Sequence, residues 1–222
     1  MRPETLAIRT QTERTAEKEH STPLFLTSSF VYDSAEDMAA AFSDDSLDVN
    51  IYSRFSNPSV DEFVKKVCLL EGAEDGIATA TGMAAVFSSF MTFLSAGDHI
   101  VSASAVFGST HAILTKYLPK WGIEFSYFDM NKPETIEGLI KKNTKLLYVE
   151  TPSNPGLDII DLKLVADICK KHKILFIVDN CFATPAVQKP IGFGADLVLH
   201  SATKFMDGQG RVLGGEIGRA HV

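Results

Sequence analysis

Cysteines are scarce in this sequence, and long apolar runs are missing. The 222 residues include three cysteines, Cys68, Cys169 and Cys181, which form neither a CxxC pair nor a cluster with histidine. An odd number with this spacing argues against a disulfide framework and against a zinc site. The first 20 residues alternate charges around no apolar core, and no apolar run reaches membrane-spanning length. We therefore expect no signal peptide, no metal, no membrane partner and a cytoplasmic location with reduced thiols.

Basic residues are also in the minority. Lysine and arginine number 21 against 28 acidic residues, which gives a formal net charge of −7 and a pI of about 5.4. Such a chain lacks the basic surface that binds nucleic-acid phosphates or anionic lipids, so we expect no nucleic-acid partner. Apolar residues form 45% of the sequence and charged residues 22%. This composition is typical of a globular protein with a sizeable core and excludes disordered and fibrous classes.

Two regions differ in composition. Residues 1–49 mix polar and charged residues with one short apolar patch, and we expect an arm that lies on another surface. Residues 50–222 are expected to form the main domain. There, Ser59 and Glu62 form the S-x-x-E pattern of a capping box directly after Pro58, which predicts a helix that begins at this point.

Short apolar runs alternate with helix-length amphipathic stretches from residue 99 onward. The runs are HIVSAS from 99, KLLYVE from 145, ILFIVD from 174 and ADLVLH from 195. The two central runs are apolar on both faces, as in parallel strands covered by helices. Between them, DLKLVADICKKHK carries Asp161 as a predicted helix cap, so this part reads as a β-α-β unit. The predicted fold class is α/β with a mostly parallel sheet flanked by helices.

Polar residues follow these runs where each predicted strand ends. Because ligands bind outside the carboxyl ends of parallel strands, we expect these residues to meet in one crevice; they are Ser104, Glu150, Asp179, His200 and Ser201. His200 is interpreted as a structural residue that helps to orient the following loop. For Glu150, an orienting role beside the site and a solvated turn remain equal alternatives.

One ligand explains the chemistry at these strand ends. The segment GIATATGMAAVFSSF from 76 predicts a strand and then a helix opened by Gly82, whose free N–H groups could hold a phosphate. The GxxxxGK[ST] and GxGxxG motifs are missing here, which argues against nucleotides. Lys204 in HSATK follows an apolar run and is expected at a buried strand end. Pyridoxal 5′-phosphate (PLP) would use Lys204 for an imine with its aldehyde, Asp179 for its ring nitrogen, and phosphate ligands; the phosphate ligands would be Gly82, Met83, Ser201 and Thr203.

Six motifs in order resemble the Cys/Met metabolism family of PLP-dependent enzymes, from Tyr52 to Gly215. The motifs are YSRFSNPS, ATGMAA, VFGST, ETPSNP, VDN and HSATK. The resemblance implies the aspartate-aminotransferase-type fold (fold type I), with Lys204 bonded to PLP and Asp179 paired with its ring nitrogen. It also implies that Asn154 touches the phenolic oxygen of the cofactor. Tyr52 and Arg54 would reach the phosphate of a neighbouring subunit, so the site would belong to a homodimer, usually within a tetramer whose arms clasp neighbours.

Phe107 departs from the family pattern, because many members have tyrosine at this position of the VFGST motif. The phenyl ring could still stack on the cofactor, but without a hydroxyl Lys204 must carry more of the proton transfer. VFGST together with DGQGRVLGG is most similar to the sulfhydrylase branch, which implies γ-replacement on O-succinyl- or O-acetyl-L-homoserine with sulfide to give L-homocysteine. Cystathionine synthesis with cysteine, a methionine γ-lyase-type elimination, and a binding module without catalysis remain alternatives.

The end of the sequence raises a further expectation. Family members continue into a smaller C-terminal domain, which supplies an arginine for the substrate carboxylate, whereas this sequence stops at Val222. Residues 216–222, EIGRAHV, match one reading frame of a common sequencing adapter, so we expect a non-native tail. We accordingly expect an incomplete large domain without the small domain, which binds the cofactor weakly and shows little or no turnover.

Overall fold

One seven-stranded sheet forms the centre of the chain in the computed structural model, which describes residues 2–8, 14–44, 46–47 and 49–220. The strands are β1 Asp75–Thr79, β2 His99–Ala103, β3 Glu124–Phe128, β4 Thr144–Glu150, β5 Leu175–Asp179, β6 Leu197–His200 and β7 Gly215–Arg219. Their order across the sheet is β1-β7-β6-β5-β4-β2-β3. Strand β7 is antiparallel to both neighbours, and the other pairs are parallel. The predicted mostly parallel α/β sheet is confirmed.

Helices connect the strands and cover the sheet. They are α1 Pro3–Ile8, α2 Ala35–Ser43, α3 Pro58–Glu71, α4 Gly82–Phe93, α5 Gly108–Ala112, α6 Ile136–Leu139, α7 Leu162–His172 and α8 Thr184–Val187. Helix α5 continues as a π-helical turn at Ile113–Tyr117. The described residues also form 3-10 turns at Leu118–Trp121, Pro133–Thr135 and Pro190–Phe193. The predicted cap of α7 is confirmed, because Asp161 Oδ1 accepts a hydrogen bond from Leu164 N at 3.1 Å.

The predicted start of α3 needs a correction. Asn57 caps the helix instead of Ser59, and its side chain accepts a hydrogen bond from Ser59 N at 2.9 Å. Proline suits the first helical position because it needs no partner for an N–H group, so Pro58 shifts the cap to the preceding residue. The Ser59 hydroxyl instead accepts a hydrogen bond from Phe25 N at 2.9 Å. Ser59 therefore joins the helix to the preceding segment.

The four runs predicted as strands correspond to β2, β4, β5 and β6. Apolar residues on both faces of these central strands are fully buried between the helical layers, as Val101, Leu147, Ile177 and Val198 show with 0% exposure. Strands β3 and β7 were not predicted. Among the described residues, no helix has both the length and the apolar character needed to cross a membrane.

The arm predicted for residues 1–49 and the non-native tail predicted for residues 216–222 both stay predictions. The proposed arm, residues 1–49, includes positions outside the described residues, and its later part forms an isolated antiparallel bridge between Ser29 and Tyr52. Of the predicted non-native tail, residues 216–219 lie in β7, which pairs with both β1 and β6. Residues 221 and 222 lie outside the described residues.

Candidate active site

A cleft opens at the carboxyl ends of β4, β5 and β6, beside the first turn of α4. Its empty volume is about 670 Å³, including space open to solvent, which suits a small-molecule ligand. The predicted site residues that line it are Gly82, Met83, Phe107, Asn154, Asp179, Ser201, Thr203 and Lys204. The structure thus brings together residues that are more than a hundred positions apart in the sequence, because successive parallel strands end at the same edge of the sheet.

Asp179 lies at the end of β5 and is held by two hydrogen bonds. Cys181 N donates to Oδ1 at 3.0 Å, and the Tyr148 hydroxyl donates to Oδ2 at 3.1 Å. Burial raises the pKa of the Asp179 carboxyl above its ordinary value. Burial also raises the pKa of Tyr148, which is 0% exposed, so the phenol stays protonated and can act as the donor. A cationic group in the cleft would favour the ionised form of Asp179.

Sequence reasoning missed Tyr148. It lies two residues before Glu150 on the same strand, so both side chains point to the same face of the sheet. That spacing was available in the sequence, but the hydroxyl contact also depends on the pairing of β4 with β5. The ring of Tyr148 packs edge-on against Phe90, with ring centroids 5.2 Å apart.

Glu150 points into the protein at the end of β4. It is 4% exposed, and its Oε2 accepts a hydrogen bond from Phe107 N at 2.6 Å. The alternative of a solvated turn is therefore wrong. Burial, followed by the charge of Asp179, raises the pKa of the Glu150 carboxyl to about 8. Glu150 and Asp179 are partners in the β4–β5 register, so two carboxyl groups lie side by side at the cleft.

The first turn of α4 approaches the end of β6 closely at Gly82. A Cβ atom on Gly82 would lie 2.6 Å from Ser201 Cβ, so only glycine fits this contact. The hydroxyl of Thr81 caps the helix by accepting a hydrogen bond from Ala84 N at 3.0 Å. The N–H groups of Gly82 and Met83 lie in the first turn, where a helix provides no partners of its own. Together with Ser201, this turn forms a suitable cradle for a phosphate.

Lys204 lies in the turn that follows β6 and borders the cleft, but its side chain is exposed. Its backbone N–H donates to Ser201 O at 3.1 Å. The expectation of a buried lysine was therefore wrong for this chain. Strand β6 ends at His200, so Lys204 lies in a turn beyond the sheet rather than at the strand end itself.

Two of the polar residues at the strand ends do not line the cleft. His200 is 1% exposed, and its Nε2 lies 2.6 Å from Glu71 Oε1. Adjacent strand residues point to opposite faces, so His200 is directed away from the cleft while Ser201 borders it. Ser104 follows β2, which is separated from β5 by β4, and its N–H donates to Phe128 O at 2.9 Å. The predicted convergence is thus correct for Glu150, Asp179 and Ser201 only.

Tyr52 and Arg54 also lie outside the residues that line the cleft. The Arg54 guanidinium carbon is 5.0 Å from the centroid of the Tyr52 ring and 5.2 Å from that of Phe55. Tyr52 is 39% exposed and Phe55 72%. Within one chain these residues form a surface cluster, and their predicted contact with the phosphate of a neighbouring subunit stays a prediction.

Comparison with known proteins places the chain among enzymes. The profile described as Cys/Met metabolism PLP-dependent enzyme matches residues 4–221. An O-succinylhomoserine sulfhydrylase from Pseudomonas aeruginosa is 45% identical over 214 residues, which cover 96% of this chain and 53% of that protein. An L-methionine gamma-lyase from Porphyromonas gingivalis is 40% identical over 196 residues, which cover 88% of this chain and 49% of that protein. The chain thus spans about half the length of these relatives.

A solved structure agrees with these relatives. A candidate O-acetylhomoserine (thiol)-lyase from Campylobacter jejuni matches with a TM-score of 0.94 and 34% identity over 99% of this chain and 54% of that one. That protein was solved with N′-pyridoxyl-lysine-5′-monophosphate, in which a lysine carries the cofactor.

Proposed function

Because the chain belongs to the Cys/Met metabolism family of PLP-dependent enzymes, we propose that it binds PLP in this cleft for a γ-replacement reaction. In this reaction sulfide replaces the acyl group of O-succinyl-L-homoserine, or of O-acetyl-L-homoserine, and L-homocysteine forms. The observation that carries the proposal is that Lys204 and Asp179 border the same cleft as the glycine-opened turn of α4.

The residues of the cleft fit the three chemical demands of PLP. Lys204 supplies an amine at the edge of the cleft, where an exposed side chain can reach the aldehyde. Asp179 supplies a carboxyl whose two oxygens already accept hydrogen bonds and whose ionised form a cationic ring nitrogen would favour. The first turn of α4 and Ser201 supply donors for the phosphate, at the contact where Gly82 leaves no room for a side chain.

When bound, PLP supplies an aldehyde that bonds to amines and a ring that withdraws electrons from the substrate carbons. Lys204 would hold the aldehyde through its amine and, once the amine of the substrate takes that place, would accept the α proton. Asp179 would hold the proton of the ring nitrogen, Asn154 would contact the phenolic oxygen, and the Phe107 ring would cover one face of the site.

The γ-replacement balances without an oxidant or reductant. The Cγ–O bond of the ester breaks and the carboxylate leaves with its electron pair, while hydrosulfide forms the new Cγ–S bond. The protons taken from the α and β carbons return to them, and the proton released by hydrogen sulfide accompanies the carboxylic acid. Phe107 has no ionisable group, so Lys204 would carry more of these proton transfers.

The relatives support different substrates. The Pseudomonas aeruginosa sulfhydrylase supports the O-succinyl ester, and the similarity to an L-methionine gamma-lyase supports γ-elimination from methionine as the alternative. Cystathionine formation with cysteine uses the same proton steps with a different nucleophile. A second alternative is a fragment that does not catalyse, because the chain spans about half the length of these relatives.

We further propose that the active protein is a cytoplasmic homo-oligomer, a dimer of dimers. This assembly would let Tyr52 and Arg54 of one subunit bind the phosphate of its neighbour. It is supported by their position outside the cleft of their own chain and by the exposed aromatic surface that they form with Phe55.

Two measurements test the proposal. Borohydride reduction of the chain after incubation with PLP should fix a pyridoxyl group on Lys204, which peptide mass spectrometry locates, and Lys204→Arg is the control. The loaded protein is then incubated with O-succinyl- or O-acetylhomoserine, each with sulfide or cysteine, and separately with methionine. Homocysteine is the expected product of a protein of the relatives' full length, whereas little or no turnover is expected of these 222 residues alone. Release of 2-oxobutanoate from methionine alone would favour the lyase alternative, and cofactor binding without any product would favour the non-catalytic fragment.

A further inference from the structure

The hydrogen bond from Phe107 N to Glu150 joins two distant parts of the chain at the cleft. The residues are 43 positions apart, and the 2.6 Å contact ties the start of α5 to the end of β4. Phe107 occupies the cap position of α5, where no side chain makes a capping hydrogen bond. Oε2 of Glu150 therefore serves as the acceptor at a helix start that lacks a side-chain cap.

We propose that Glu150 is a positioning residue, whose carboxyl group fixes the main chain of Phe107 and thereby sets the ring that would cover one face of the cofactor. This inference rests on the proposed function for the identity of the ligand. The contact itself belongs to the protein without ligand, so it can be tested separately.

The Phe107 side chain packs weakly, so its position depends on the hydrogen bond between Phe107 N and Glu150. The residue is 42% exposed and borders the open cleft, so the surrounding core does not fix its ring. In contrast, Tyr148 is 0% exposed and is held by its neighbours on all sides. A ring without such support takes its position from the backbone, and the backbone at Phe107 is fixed by the bond to Glu150.

The charge arrangement argues against a purely space-filling role for Glu150. Its register partner on β5 is Asp179, so the two carboxyl groups share a poorly hydrated cleft and repel each other when both are ionised. An apolar residue at position 150 would avoid this repulsion but would leave the Phe107 N–H without its acceptor. The stabilising contribution that a carboxyl group makes here is the hydrogen bond to Phe107.

Two variants separate the hydrogen bond from the charge. Glu150→Gln removes the charge but keeps an oxygen that can accept the Phe107 N–H, whereas Glu150→Ala removes both. The matched control is Asp196→Ala, because Asp196 Oδ2 likewise accepts a backbone hydrogen bond, from Phe176 N at 2.7 Å, at the opposite end of the strands. Circular dichroism in the far ultraviolet establishes that each variant is folded.

The first measurement is amide hydrogen exchange at Phe107 in the protein without PLP. In Glu150→Ala the Phe107 amide should exchange about tenfold faster or more, and in Glu150→Gln it should stay within about threefold of the unchanged protein. Asp196→Ala should leave exchange at Phe107 unchanged. Unaltered exchange in Glu150→Ala would overturn the proposal, whether or not the protein binds PLP.

The second measurement is PLP affinity, together with the visible circular dichroism of the bound cofactor, which reports how its ring is held. Glu150→Ala should bind PLP about tenfold more weakly and change this signal, and Glu150→Gln should restore both. In a Phe107→Leu background, Glu150→Ala should have much less effect, since the ring that it positions is gone. Equal losses in Glu150→Ala and Glu150→Gln would show that charge acts instead of positioning and would overturn the proposal. Failure of the unchanged protein to bind PLP would count against the proposed function, while amide exchange would still decide the role of Glu150.

Discussion

Replacing Glu216 with glutamine should stabilise the fold at alkaline pH and change it little at acidic pH. Glu216 lies in β7 with 0% exposure, and its Oε2 has no hydrogen-bond partner among the residues that the structure describes. Its Oε1 lies 3.9 Å from Cys68 Sγ, a weak donor. His200 is its register partner on β6, and the carboxyl of Glu71 lies nearby. The surroundings therefore offer Glu216 little to stabilise a negative charge.

The direction of the pH effect follows from the pKa of Glu216. Burial, followed by the charge of Glu71, raises this pKa from 4.5 to about 8. The folded protein therefore keeps a proton that the unfolded chain has released. The favourable contribution of the protonated Glu216 to the free energy of unfolding is fully present below about pH 4.5 and is lost as the pH rises towards about 8. The difference between these two pKa values corresponds to about 5 kcal/mol in the free energy of unfolding, at about 1.4 kcal/mol per pH unit. Because the sheet can relax around the charge, this value is an upper limit.

Urea unfolding followed by circular dichroism measures the effect at about pH 5 and about pH 8.5. The free energy of unfolding of the unchanged protein should fall between about pH 5 and about pH 8.5. In Glu216→Gln it should fall by several kcal/mol less. Glu150 titrates in the same range, so the difference between the two proteins is the quantity that decides. The control Glu124→Gln removes an exposed carboxylate paired with Lys141 at 2.9 Å and should follow the unchanged protein. Equal losses in Glu216→Gln and the unchanged protein would refute the reasoning.

Three further substitutions address the cleft. Asp179→Asn should weaken PLP binding at least about tenfold, measured by absorbance titration, because a neutral amide cannot pair with a cationic ring nitrogen; unchanged affinity would contradict the assignment. Tyr148→Phe removes the 3.1 Å hydrogen bond to Asp179 and should lower both affinity and the unfolding free energy, the latter by about 1 kcal/mol; an effect on stability alone would limit Tyr148 to a structural role. Gly82→Ala places a Cβ 2.6 Å from Ser201 Cβ and should cost about 1–3 kcal/mol in thermal unfolding, with a larger loss of affinity for PLP than for pyridoxal, which lacks the phosphate.

The sequence predicted the central strands because their apolar runs are distinct, and it failed where a strand carries a different pattern. Strand β3, EFSYF, lies at the sheet edge and mixes charged, polar and aromatic residues, of which only the last, Phe128, is buried. Strand β7, GEIGR, contains two glycines and a buried glutamate. Its antiparallel pairing with β1 brings together segments more than a hundred residues apart, and no local pattern encodes such a contact.

Within the candidate site, the sequence predicted which residues lie at the cleft better than it predicted which atoms they contact. The rule that ligands lie beyond the carboxyl ends of parallel strands placed Glu150 and Asp179 together. That rule could not predict that the His200 side chain points to the other face of the sheet, because the side chains of β6 alternate between faces and the outcome depends on where the strand ends. Nor could it assign a partner to Glu150, since the bond to Phe107 N crosses 43 residues and depends on how α5 packs beside β4.

Two pairs of carboxyl groups in this protein share the same electrostatic problem but differ in what can relieve it. Glu150 and Asp179 line the cleft, so a cationic group that entered it would favour the ionised form of both carboxyl groups. Glu71 and Glu216 are both buried without bordering that cleft, and each has one oxygen without a hydrogen-bond partner among the described residues. Here a proton on Glu216 relieves the repulsion, and His200 and Asn180 contact the other oxygen of Glu71. Pairing of buried acids therefore indicates a binding site only where the pair also reaches a cavity, as Glu150 and Asp179 do and Glu71 and Glu216 do not.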